Sequence, residues 1–260
     1  MTDEVRIAKR RRRGSALFRT ALILLGVVAL ALAALWISVP DVSNLNKGNP
    51  RATALMLYRE EQARKSHRRP RRVWFWVPLS RISPYLVHAV LIAEDDKFFQ
   101  HRGFDWESIR EAFEKDLQRK RFAFGGSTIS QQLAKNLYLS PRKTPIRKLR
   151  EAAIAWQLER KLSKRRILEL YLNVIEWGDG IYGAEAAART YYGCSAAELS
   201  VPQAIRLASI LPNPRRYSPY DSTRAWLRRK RLTLAERMRK RNLISEDQFQ
   251  EVLVDLGIVR

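Results

Sequence analysis

Three acids in a row, Glu94, Asp95 and Asp96, interrupt the stretch YLVHAVLIAEDDKFFQHRG at residues 85–103. The nine residues before Glu94 are apolar except for His88. If that run is a buried helix, Glu94 is its first carboxylate to emerge into a cleft. Partial burial disfavours the ionised carboxyl and raises its pKa, which suits a group that handles protons near neutral pH. The same acids equally suit a helix end that faces water. A second group lies in FGGSTISQQLAKN, residues 124–136. Here the turn Gly125-Gly126 leads into Ser127, Thr128, Ser130, Gln131 and Gln132, with Lys135 and Asn136 following. Hydroxyls, amides and backbone N–H groups at a helix start favour anions and can bond sugar or phosphate oxygens. A third group lies in TPIRKLREAAIAW, residues 144–156. At about 100° per residue, Ile146, Leu149, Ala153 and Trp156 share one face and read as a core stripe. Arg147, Lys148 and Glu151 fall opposite, at i,i+4 and i,i+3 spacing. Taken alone, that face is a surface ion-pair cluster of little energetic weight.

Other matches carry less. Gly178 to Gly183 fits GxGxxG, but it follows a helical pattern with no strand–helix–strand unit around it, so a dinucleotide reading fails. Ser140 to Lys143 fits SxxK without the companion motifs of acyl-serine enzymes. Three scattered histidines and the single Cys194 offer no zinc-ligand spacing, and His88 reads as a core residue. One cysteine also excludes an intrachain disulfide.

The elements that must position these groups are mainly helical. Ser83-Pro84 reads as an N-cap with proline at N1, opening the helix that carries Glu94. Asp105 can cap another helix, Thr144-Pro145 opens one to about Leu162, and Ser163 begins KRRILELYLN. Ser195 with Glu198, Ser200 with Gln203 and Ser245 with Gln248 have capping-box spacing, and Gly257 can end the last helix. RVWFWVPL, residues 72–79, is the best strand candidate, with Val73, Phe75 and Val77 alternating against Trp74 and Trp76. The basic segment from Thr223 to Asn242, with Trp226, Leu227, Leu234 and Met238, can form a packed helix or a membrane-surface one, of which packing on the larger lobe is the favoured reading.

In the 260-residue chain, Lys and Arg number 49 against 26 Asp and Glu, a net +23, which calls for a polyanionic neighbour. The apolar run Ala21–Val39 holds no charge and spans roughly 28 Å as a helix, close to a bilayer's hydrocarbon thickness. It is longer than a signal-peptide core and has no clear cleavage site after it. Lys9 to Arg13 precede it, which places the N-terminus in the cytoplasm and everything after Pro40 across the membrane. That placement argues against a nucleic-acid partner. The expected organisation is a basic cytoplasmic tail at 1–20, a transmembrane helix at 21–39, a membrane-proximal linker at 40–72 and a catalytic domain at 73–260.

In this order, EDDKFFQHRG (94–103), GGSTISQQLAKN (125–136), RKLRE (147–151), KRRILELYLN (164–173) and GDGIYGAEAAARTYYG (178–193) resemble the biosynthetic peptidoglycan glycosyltransferases, or transglycosylases. The resemblance runs from about Asn49 to Pro219. It departs at Cys194, where relatives commonly carry lysine. It implies a mainly α, bilobed, lysozyme-like domain behind one transmembrane helix, of the monofunctional branch without a transpeptidase domain. The implied reaction polymerises lipid II on the growing lipid-linked glycan, with inversion and loss of undecaprenyl pyrophosphate. By motif position, Glu94 is the general base and Glu151 the second glutamate, near the donor. Asp95, Phe98, Gly126, Ser127, Thr128, Gln131, Gln132, Lys135, Asn136, Lys143, Arg147 and Lys148 form the expected substrate-binding set. No protein-held metal or organic cofactor is expected, although Mg²⁺ or Mn²⁺ could assist at the pyrophosphate. The expected setting is the bacterial inner membrane, with the catalytic domain periplasmic and cell-wall synthesis or division proteins as candidate partners. Two rivals use the same features: a hydrolase or lytic enzyme with a cleft glutamate, and a membrane-tethered scaffold.

Overall fold

The computed structural model describes residues 18–30, 33, 35–107, 109–111, 114, 126–142 and 144–259. Two units are described separately, residues 1–41 and 42–260. In the first, helix α1 (Phe18–Ile37) has a mean hydropathy of 2.6 over its most apolar window, none of which is buried. Its length and composition are those of a membrane span. The basic cluster from Lys9 to Arg13 lies outside the described residues.

The second unit is mostly helical. It contains α2 (Ala54–Lys65), β1 (Val73–Trp74), α3 (Pro84–Glu94), α4 (Ile129–Tyr138), α5 (Pro145–Lys161), α6 (Lys164–Val174), β2 (Glu176–Gly178), β3 (Ile181–Tyr182), α7 (Ala184–Tyr192), α8 (Val201–Ile210), α9 (Ala225–Lys240) and α10 (Glu246–Asp255). The stretch expected as a linker belongs to this body. Val42, Thr53 and Met56 are fully buried, and α2 packs on α4. Thr53 caps α2 by accepting from Met56 N at 3.1 Å, a signal hidden in an otherwise polar, basic stretch.

Helix α3 is nearly all apolar because it is sandwiched. It buries Leu86, Ala89, Val90 and Ile92 against α8 and α9. Proline stands at N1 as expected, but Ser83 does not cap through its side chain. Its Oγ instead donates to Leu199 O at 2.9 Å, fastening the start of α3 to the turn before α8. A second group of helices, α2, α5 and α6, surrounds α4, whose buried Ile129, Leu133, Ala134 and Leu137 form its apolar face. The basic helix α9 packs on α3 and buries Leu227, Leu234 and Met238, while Trp226 stays largely exposed. All three capping boxes form.

Two expectations are corrected. The strand at 73–77 is only two residues long, Val73–Trp74, at the edge of a small sheet ordered β1-β3-β2. Beyond it the aromatic segment docks on the end of α6. There Asn173, 0 % exposed, donates to Val77 O (2.9 Å) and Glu169 O (2.8 Å) and accepts from Val77 N (2.9 Å), while Trp74 Nε1 donates to Asn173 O (2.7 Å). On α5 the faces are inverted. Ile146, Leu149 and Trp156 are 68 %, 57 % and 37 % exposed, and the helix buries Glu151, Ile154, Ala155 and Leu158. Periodicity marks a stripe but not which side the body occupies, and here the body covers the charged side.

The glycines of GxGxxG serve packing. Gly183 has φ +81°, and a Cβ there would lie 2.6 Å from Asn173 O. Asn173 thus holds the aromatic segment on one side and the β3–α7 corner on the other. Asn173→Ala strands three hydrogen-bonding groups and is expected to remove about 2–3 kcal/mol. At about 2–4 °C per kcal/mol for a body of this size, the thermal midpoint falls by about 4–12 °C. An unchanged midpoint would show that the clamp is dispensable.

Candidate active site

The three acids of EDD diverge. Asp96 pairs with Arg237 and with Arg241, where the Nη2–Oδ2 distance is 2.7 Å, anchoring the end of α3 to α9. Asp95 points to the other helix group. Its Oδ2 accepts from Ile129 N at 2.8 Å, the first residue of α4. It also binds His101 Nε2 at 2.9 Å. His101 Nδ1 accepts from Gly103 N at 3.2 Å, so the tautomer that satisfies both contacts carries its proton on Nε2 and donates it to Asp95. With its neighbours fixed in this way, Glu94 is left for the cleft.

Gln132 on α4 holds Glu94. Tyr171 OH donates to Gln132 Oε1 at 3.0 Å, which turns the amide so that Nε2 donates to Glu94 Oε2 at 2.9 Å. Burial pushes the Tyr171 hydroxyl well above its ordinary value, with Glu94 and Asp95 adding to the shift, so it remains a donor. Burial raises the Glu94 carboxyl above the usual carboxylate value. The Gln132 hydrogen bond, Lys230 and Lys135 oppose that rise.

Gln132 also lines a cavity of about 870 Å³. Ser127, Lys135 and Asn136 join it from the α4 side, and Arg147, Lys148 and Glu151 from α5. Glu151 is 2 % exposed and engages two cations: Arg147 at 2.5 Å and Lys148. Lys148 also donates to Ser127 Oγ at 2.9 Å. A buried carboxylate left alone would be costly, and two charge-assisted bonds offset that cost. They leave Arg147 Nε–H buried without an acceptor among the described residues. Lys135 is half-buried. Burial lowers its pKa, Arg147 and Lys148 push the same way, and Glu151 and Glu94 oppose them. The wall therefore holds three cations around one matched carboxylate, which is chemistry for a ligand of high negative charge.

The structure divides the expected residues. Ser127, Gln132, Lys135, Asn136, Arg147, Lys148 and Glu151 meet on one cavity, with Glu94 adjoining through Gln132. Thr128 and Gln131 form the α4 capping box, and Thr128 Oγ1 donates to Gly103 O at 2.7 Å. Ser130 Oγ is bonded to Glu159. Half of the polar helix start is thus architectural. Asp95 also positions rather than lines the cavity. Phe98 is buried, with Lys164 Nζ 4.2 Å above its ring. Gly126 is half-buried just before Ser127, and Lys143 lies outside the described residues.

Four residues escaped the sequence reading. Tyr171 sits inside the YLN motif, and its hydroxyl is the signal that could have found it. Glu176 and Arg59 both line the cavity and pair at 3.0 and 2.9 Å across 117 residues, which no local spacing reveals. Lys230, whose charge is felt by Glu94, is one base among many on α9. Among the described residues no group of three His, Cys, Asp or Glu could hold a metal ion. Both Glu151 oxygens are engaged by cations, so the carboxylate nearest those cations does not fit a protein-held divalent ion.

A family model described as Transglycosylase matches residues 60–239. A biosynthetic peptidoglycan transglycosylase of Methylobacillus flagellatus is 57 % identical over 164 residues, 63 % of this chain and 71 % of the relative. One from Nitrosospira multiformis is 51 % identical over 193 residues, 74 % of this chain and 84 % of the relative. One from Dechloromonas aromatica is 48 % identical over 215 residues, covering 82 % and 93 %. The match takes in Glu94, its Gln132–Tyr171 support and the cavity cations Lys135, Arg147 and Lys148, and the chain belongs to the transglycosylase family.

Proposed function

We propose that this chain is a peptidoglycan glycosyltransferase of cell-wall synthesis that polymerises lipid II into glycan strands. The observation that carries the reading is a half-buried carboxylate, held by Gln132, beside a cavity whose cations outnumber its acids. In the proposed reaction Glu94 takes the proton of the acceptor's sugar 4-hydroxyl as that oxygen attacks the donor's anomeric carbon. The new C–O bond forms on the face opposite the leaving group, so the configuration inverts. The anomeric C–O bond to phosphate breaks, and its electron pair leaves with undecaprenyl pyrophosphate. Lys135, Arg147 and Lys148 face the charge that develops there. Glu151, buried beneath two of them, fixes their directions and acts through them. Ser127 and Asn136 offer hydrogen bonds to sugar or phosphate oxygens.

A lipid-linked substrate also accounts for α1, because a span confines enzyme and substrate to one surface. With the basic tail before α1, the positive-inside rule places the N-terminus in the cytoplasm and the catalytic body outside the inner membrane.

Glu94→Gln is expected to lower the rate of polymer formation from labelled lipid II by about 10²–10⁴-fold, with little change in KM. An unaltered rate would remove Glu94 as the base. Release of fragments from purified cell wall, without polymer from lipid II, would favour a hydrolase. For the α5 cluster, Lys148→Met and Glu151→Gln are each expected to cost roughly 10–10³-fold in kcat. Because Glu151 acts through its cations, the double variant should be little worse than the worse single one. Fully multiplicative losses would instead give Glu151 an independent role.

A further inference from the structure

A second cavity, of about 220 Å³, lies beside the first and shares Arg59 and Arg215 with it. Its other basic residues are Arg68, Arg69 and Arg71, and its one acid is Asp179. Two of these charges are already matched. Arg215 donates to Asp179 at 3.0 Å, and Arg59 is paired with Glu176. Arg72 pairs with Glu60, whereas Arg68, Arg69 and Arg71 have no carboxylate partner among the described residues. Three arginines without a carboxylate partner among the described residues therefore line one concavity.

The backbone that presents them is fixed. Helix α2 ends at Lys65; two residues on, His67 has a left-handed φ of 54°, and Arg68 N donates back to Ala63 O at 2.8 Å. That closure satisfies a late carbonyl of α2 and turns the arginines back over its last turn. On the opposite side Gly180 has φ +71°, and a Cβ there would lie 2.5 Å from Arg71 O. Only a glycine lets the Arg71 backbone approach so closely, and Val73 N donates to Gly180 O at 2.8 Å. The pocket is therefore walled by a helix end and a strand edge.

Guanidinium forks match carboxylate and phosphate oxygens in pairs. At about 30 Å³ per water, the cavity has room for about seven waters, enough for one or two small anionic groups and too little for a folded partner. The shared Arg59 and Arg215 set it next to the main cavity. We infer that this pocket holds a carboxylate-bearing arm of the molecule whose reacting end occupies the main cavity. On the function proposed above, on which this inference rests, that arm is the peptide branch of the lipid-linked disaccharide. A lipid headgroup could supply a similar anion. A planar headgroup layer, however, meets flat faces, whereas this concavity opens beside the reaction cavity.

The test uses the full-length chain with lipid II and with the same lipid-linked disaccharide stripped of its peptide, in neutral detergent and in vesicles containing phosphatidylglycerol. For the wild type, KM should be roughly tenfold lower with the peptide present, the effect of about one charge-assisted contact. The combined Arg68→Ala, Arg69→Ala and Arg71→Ala variant should lose that preference and leave kcat and the peptide-free KM unchanged. Arg69→Glu, at an exposed position, should shift KM the same way should the triple variant fold poorly. Equal losses on both substrates, or none, would overturn the pocket's assignment. So would a defect confined to anionic vesicles, which would hand the arginines to headgroups. A wild type that polymerises neither substrate fails the function reading itself, a different result from polymerisation without peptide preference.

Discussion

A carboxylate that must accept a proton near neutral pH has to be withdrawn from water and yet held ionised. At Glu94 burial and one amide pull in these opposite directions. Burial at the end of α3 raises its pKa, and the hydrogen bond from Gln132 is the largest opposing influence. The amide is in turn oriented by Tyr171, a hydroxyl too deeply buried to ionise. Glu94 stands on α3, Gln132 on α4 and Tyr171 on α6, so the carboxylate's state depends on how the two helix groups meet. Asp95 fixes that meeting by binding the start of α4, while Asp96 ties α3 to the end of α9 within its own group. Three consecutive acids thus form the proposed base and its two braces.

The second glutamate obeys a different rule. Glu151 is more deeply buried than Glu94, but both its oxygens are taken by cations. In the proposed reaction it organises those cations. The cost of burying one carboxylate is offset by its pairs with Arg147 and Lys148, in a cavity that Lys135, Arg59 and Arg215 also line. In the proposed reaction the two glutamates do different work: one takes a proton, and the other holds cations in place.

Much of this was legible in the sequence where the signal is local. Capping boxes at Ser195, Ser200 and Ser245, the Thr144-Pro145 helix start and the apolar run before Glu94 each depend on neighbours within a few residues, and each forms. What depends on long-range docking was not legible. The α5 periodicity located both faces but could not say which one the body covers, so Glu151 read as surface and Leu149 as core. Thr128 and Gln131 read as ligand groups although their spacing is that of a capping box, and the bond from Ser130 to Glu159 spans 29 residues. Arg59 with Glu176, and the Asn173 clamp, join segments about a hundred residues apart.

The central claim is that Glu94 is a base tuned by Gln132, and the pH dependence of kcat/KM for lipid II polymerisation tests it most directly. A base must be deprotonated, so activity should fall on the acid side through the Glu94 pKa, above the ordinary 4.5. In Gln132→Met the hydrogen bond that lowers this pKa is gone, so the acid limb should move to higher pH. An acid limb that stays in place when Gln132 is replaced would contradict the account.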